Sequence, residues 1–106
     1  MKIATSHEIA GYTITETLDV VSGNIVQSKH VGRDIMAGLK TIIGGEIAGY
    51  TEMLAEARSK AQRRMIEEAE AMGADAIVNM RFTSSAIMQG MSEILAYGTA
   101  VKLRKS

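Results

Sequence analysis

Cysteine is absent from this chain of 106 residues. Its absence removes disulfide frameworks, thiolate metal sites and cysteine nucleophiles together, leaves packing alone to hold the fold, and leaves the redox compartment unconstrained. Aromatic residues are scarce: Tyr12, Tyr50, Phe82 and Tyr97 are the whole set. A domain of this size hides about 65% of its unfolded-chain surface, so with so few rings its own core is modest and subunit contacts would add to it. Neither sign of charge is in excess, because twelve basic and twelve acidic residues cancel. With no run of Lys or Arg there is no electrostatic footprint for a phosphate backbone or an anionic membrane, and neither is an expected partner. Long apolar runs are lacking as well. Residues 1–11 carry His7 and Glu8 where an export signal needs an unbroken apolar stretch. The most apolar, glycine-rich stretch, residues 35–50, is interrupted by Lys40 and Glu46 and falls short of the ~20 residues of a membrane span. A soluble, cytoplasmic chain is expected.

What is present is ordinary for a folded protein: 46% hydrophobic and 23% charged residues, consistent with a single domain over residues 1–106. Residues 12–21 alternate, with Tyr12, Ile14, Leu18 and Val20 on one face and Thr13, Thr15, Thr17 and Asp19 on the other. That is a half-buried strand. Ser22, Gly23 and Asn24 break the pattern before residues 25–27, as either a bulge in one long strand or a tight hairpin would. A short helix is expected over residues 31–43, where Ile35, Leu39 and Ile43 recur at helical spacing, with Ser28 as a possible cap. Gly44 and Gly45 stop it.

The strongest local signal covers residues 46–72, where Ile47, Tyr50, Leu54, Ala57, Ala61, Met65, Ala69 and Met72 follow a 3.6-residue period. Ala57 and Ala61 let this long helix approach a sheet closely, Glu56 with Lys60 and Arg63 with Glu67 are spaced for i,i+4 pairs, and Gly73 supplies the C-cap. Residues 75–83 alternate again, residues 84–91 read as an unusually apolar loop of eight residues, and residues 92–103 form a long last strand. The order strand, helices, strand, strand builds an α+β two-layer sandwich: an antiparallel sheet with the long helix on one face. The other face stays uncovered, and long strands leave edges with unpaired N–H and C=O groups. Edge pairing between copies follows as an expectation, so the predicted partner is the chain itself.

The runs Gly32-Arg33-Asp34-Ile35, Ala37-Gly38-Leu39, Gly44-Gly45-Glu46 and Tyr50-Thr51 resemble the YbjQ-like family of small bacterial proteins. Downstream, Ala57-Arg58, Arg64-Met65, Gly73-Ala74-Asp75-Ala76, Arg81-Phe82 and Ala96-Tyr97-Gly98-Thr99-Ala100-Val101 continue the likeness across nearly the whole chain. The resemblance implies a dodecin-subunit-like fold assembled as pentamers, and it carries the label of a heavy-metal-binding domain.

Soft-metal binding needs thiolates, imidazoles or thioethers at short range. The donors available are His7 and His30, which nothing in the sequence brings together, and Met88 and Met91 in the apolar loop, where packing or subunit contact is the plainer role for methionine. Glu46 at the start of the long helix complements the helix dipole and competes with an anion for its free N–H groups. Arg33, Asp34, Glu46, Tyr50 and Arg81 are the candidate ligand-binding residues, with ion pairing and packing as their plainer roles. No nucleophile triad, phosphate loop or dinucleotide fingerprint stands out, so no catalytic residue is assigned. The leading reading is a homo-oligomeric scaffold or small-ligand-binding module. The alternatives are a heavy-metal-binding protein with a metal ion as cofactor, and a small enzyme or carrier with a pocket between subunits.

Overall fold

The computed structural model of the chain describes residues 1–28, 48–89 and 91–106, with the backbone alone at residues 28 and 48–50. Its elements are β1 (Lys2–Ile3), β2 (Tyr12–Ser28), α1 (Ala48–Ala71), β3 (Ala76–Met88) and β4 (Met91–Lys105). The helix expected over residues 31–43 and the Gly44-Gly45 turn lie outside the described residues. Within α1 the apolar stripe packs as its period requires: Ala57, Ala61, Met65 and Ala69 are buried, and Leu54 and Met72 border the same core. On the wet side Lys60 pairs with Glu56 at 3.5 Å. Among the described residues Arg63 and Glu67 do not pair. Arg64 instead reaches the sheet, its Nη1 donating to the Asn24 carbonyl at 2.7 Å. The helix stops in a Schellman motif: Gly73 has φ +77°, its N–H donates to the Glu70 carbonyl at 3.0 Å, and the Ala74 N–H donates to that of Ala69 at 3.1 Å.

The strands lie in the order β1-β3-β4-β2. β2 and β3 each pair antiparallel with β4, as expected, while β1 adds a parallel margin, with Lys2 opposite Ala76 and Ile3 opposite Ile77. The two-layer α+β sandwich therefore carries a mixed sheet of four strands rather than an antiparallel sheet of three. Two residues are too few to show a period, which is why β1 left no trace in the pattern.

Residues 22–24 form neither a hairpin nor a bulge. Val21, Ser22, Gly23 and Asn24 stand in unbroken register with Gly98, Tyr97, Ala96 and Leu95. The irregularities come earlier, between Ile14 and Glu16 and between Thr17 and Asp19. Each inserted residue reverses the inward and outward alternation, so Val20, expected on the face of Leu18, is 65% exposed while Val21 is fully buried. Gly23 is glycine for a different reason from a turn. The backbone of α1 crosses it, and a Cβ there would strike the Ala61 carbonyl oxygen and the Met65 amide nitrogen and lie 2.7 Å from Arg64 Cβ.

Two features shape β3. Asn79, at φ +53°, is part of a bulge between the Val78–Thr99 and Arg81–Tyr97 pairs, a backbone region that Asn tolerates better than most residues. The described part of residues 84–91, expected as a loop, is instead the far end of a hairpin: Ser84 faces Ile94, Ala86 faces Ser92 and Met88 faces Met91. Ser84, Ser85 and Ala86 carry no hydrophobic alternation, so only the hydrogen-bond ladder reveals that they are strand. The main core lies between α1 and the sheet, and a smaller one of Ala76, Val78 and Val101, bordered by Ile9, Ile14 and Leu103, lies on the opposite face.

Candidate assembly surface and binding cleft

β2 has a neighbour on one side only, so among the described residues its outer edge is bare from end to end. β3 is flanked by β1 at Ala76 and Ile77. Beyond that, the Asn79 N–H donates to the Ser6 carbonyl at 2.9 Å and the Met80 N–H to the Ala4 carbonyl at 3.0 Å, and from residue 81 onward its outer edge has no partner among the described residues. The sheet face away from α1 is covered at one end by Ile9 and its small core, and uncovered at the other. There Val20, Val26 and Tyr97 are 65%, 49% and 37% exposed. The surface of 6862 Å² compares with about 5,800 Å² for a compact monomer of 11.4 kDa. The radius of gyration of 17.1 Å compares with about 13 Å.

A cleft of about 390 Å³ opens between the first half of α1 and the far end of the hairpin. Leu54 and Arg58, one helical turn apart, form one wall. The strand period and register place Phe82, Ser84, Ala86, Ser92 and Ile94 on the face toward the helix, and Gln27 of β2 closes one side. Among the described residues Arg58 is the lining's single cation, no carboxylate lines the cleft, and Arg58 makes no ion pair or hydrogen bond.

The predicted site residues fare unequally. Arg33, Asp34, Glu46 and His30 lie outside the described residues, and of Tyr50 only the backbone, in the first turn of α1, is described. Arg81 acts as a fastener: its Nη1 donates to the Thr5 and Met80 carbonyls, each at 2.8 Å, tying the N-terminal segment across the bulge. We expect Arg81→Ala to cost about 1 kcal/mol, the scale of an exposed charged hydrogen bond. Hydrogen exchange at Asn79 and Met80, whose amides bond that segment, should accelerate in the variant, and unchanged protection would contradict the role.

His7 is exposed, with Nε2 3.6 Å from Glu8 Oε1, beside the end of the sheet where Ile14 faces Leu103. Met88 and Met91 face each other at the opposite end, roughly 40 Å away at about 3.3 Å per residue. Two thioethers, Met88 being 60% exposed, do not complete a soft-metal centre. Among the described residues no cluster of three or more His, Cys, Asp or Glu could hold an ion. The described part of one chain therefore does not fit a heavy-metal site. No described helix is long and apolar enough to cross a membrane.

Arg58, Phe82, Ser84 and Ser92 were missed as a group by the sequence. They come from three elements, and no spacing links a helix position to a strand that a hairpin folds beneath it.

Comparison with known proteins bears on the whole chain. A UPF0145 protein of Photobacterium profundum is 72% identical over 103 residues, covering 97% of this chain and all of that one. One of Thermotoga maritima is 61% identical over 105 residues, covering 99% of each. A crystal structure of a DUF74 family protein of unknown function from Pediococcus pentosaceus covers 98% of both chains with a TM-score of 0.65. At 18% identity that likeness shows the fold alone. The family described as "Putative heavy-metal-binding", YbjQ, matches residues 1–104, and with these full-length relatives the chain belongs to the YbjQ, or UPF0145, family.

Proposed function

We propose that the chain is a cytoplasmic homo-oligomeric scaffold and small-ligand-binding module, assembled through its bare sheet margins. The observation that carries this reading is the outer edge of β2, seventeen residues long with no strand of the described residues beside it. An edge of that length pairs with another chain unless something blunts it. β2 is blunted only in its first half, where both bulges lie, which leaves residues 20–28 in regular register and free to pair. The bare part of β3, residues 81–88, is of similar length. Joining two different edges makes a head-to-tail contact, which closes into a ring when the rotation per copy permits. A ring accords with the pentamer implied by family resemblance. Association would also cover Val20 and Val26.

Sedimentation at micromolar concentration should give a mass several times 11.4 kDa. A Val20→Lys, Val26→Lys double variant should weaken the assembly at least about tenfold by placing charges in a desolvated interface. A wild-type chain that sediments as a monomer would end the proposal.

A further inference from the structure

We infer that the cleft between α1 and the far end of the β3–β4 hairpin is a binding site for a small organic oxyanion, a carboxylate or phosphate group on a flat apolar body. The inference rests on the reading of this chain as a binding module and names the ligand class. Arg58 is the reason for the charge. A guanidinium offers a planar fork of donors matched to the two oxygens of a carboxylate or phosphate, and here it stands over the cleft with no acid among the described lining residues. An arginine on a helix surface is commonly held by an acid one turn away, as Lys60 is by Glu56. Arg58 has none of its own among the described residues.

The hydroxyls of Ser84 and Ser92 lie on the same face of neighbouring strands, Ser84 opposite Ile94 and Ser92 opposite Ala86, and supply further donors to an oxyanion. Leu54, Ile94 and the ring of Phe82 supply the apolar part of a lining that also includes the neutral polar Gln27 and Thr83. Phe82 is 40% exposed on the helix side of the sheet, because α1 lies over β2 and does not extend across β3 at this level. An exposed ring beside an unpaired cation and two hydroxyls suits a ligand whose flat part stacks while its charged end meets the guanidinium. The cleft's volume of about 390 Å³ falls in the range of small-molecule sites, roughly 300–1,000 Å³.

Calorimetry on the full chain with naphthoate, phenyl phosphate, inorganic phosphate and neutral naphthamide tests this. Naphthoate or phenyl phosphate should bind with a dissociation constant below about a millimolar, and naphthamide at least about tenfold more weakly, since it lacks the charge-assisted pair. A preference for naphthoate assigns a carboxylate, and a preference for phenyl phosphate or inorganic phosphate assigns a phosphate. Arg58→Gln should lower the affinity for the preferred anion about tenfold or more. Arg58→Lys, which keeps the charge and loses the fork, should fall between. Sedimentation of the same samples separates the two readings. An assembled chain that binds neither organic anion, or binds naphthamide equally well, or is indifferent to Arg58→Gln, overturns the ligand assignment and leaves the assembly standing. A monomer that binds the anion through Arg58 keeps this site and overturns the assembly alone.

Discussion

Gly23→Ala should destabilise the chain by at least about 3 kcal/mol, at the upper end of the range for overpacking. A methyl group at this position would meet the Ala61 carbonyl oxygen, the Met65 amide nitrogen and Arg64 Cβ. Two of these are main-chain atoms of a continuous helix, which cannot yield by changing a rotamer. Relief requires α1 to lift away from β2, and lifting it opens the core formed by Val21, Ala57, Ala61 and Met65. For a domain of about 100 residues this corresponds to a fall in midpoint of roughly 15 °C. Thermal unfolding at one fixed protein concentration, so that assembly does not shift the comparison, should read it directly. A Gly23→Ala chain melting within about 2 °C of wild type would mean that α1 does not lie on β2 here.

The second large effect is expected at Met65, the bulkiest of the fully buried side chains. Met65 lies on α1 one turn beyond Ala61 in a core where Ala57, Ala61, Ala69, Ala96 and Ala100 supply little volume. Few neighbours can collapse into the space it would leave. Met65→Ala should therefore cost about 2–5 kcal/mol, whereas Met65→Leu, which nearly conserves volume, should cost less than about 1.5 kcal/mol. Chemical denaturation of both variants measures the difference, and equal losses would show that polarity or helix propensity, not packing, sets the tolerance at this site. The contrast also separates the core from the proposed assembly, since Met65 packs in the core of its own chain.

Much of the fold could be read in advance because the periods responsible for it are local. The stripe from Leu54 to Met72 is the buried stripe of α1, Gly73 is its cap, and the three long strands occupy the alternating segments. Gly23 shows where local reading stops. Beside Ser22 and Asn24 it looked like a break in the strand, whereas it is the point at which a strand admits a helix backbone. Ala57 and Ala61 announced that close approach from the helix side, but the position opposite them depends on register. Val20 and Val21 exchanged places relative to Leu18 for a related reason: the second of the two register shifts in β2, between Thr17 and Asp19, reversed the alternation there. Thr15 and Leu18 themselves carry no mark of being extra. The hairpin end at Ser84, Ser85 and Ala86 lacked the hydrophobic period that identifies strand and was visible only through its pairing with β4.

The candidate residues divide along the same line. Met88 and Met91, close in sequence, are indeed opposed across the hairpin. His7 lies at the other end of the sheet. Arg81, chosen as a polar group able to bind, fastens two backbone carbonyls, a role set by a bulge and a two-residue strand that the sequence did not disclose. Arg58 belonged to a short family-like run with Ala57, and only the hairpin folded beneath it turned it into the wall of a cleft.

By itself, then, the sequence determined one helix and three long strands, the face each presents where no residue is inserted, and the absence of thiol chemistry. These follow from the 3.6-residue and two-residue periods and from composition, which no distant contact can alter. Tertiary structure decided which edges stay bare, where the register slips, why residue 23 must be glycine, and that Arg58, Phe82, Ser84 and Ser92 share one cleft. Those outcomes depend on hydrogen bonds and packing between residues far apart in the chain, and the free energy of such contacts is a property of the pair, written at neither position alone.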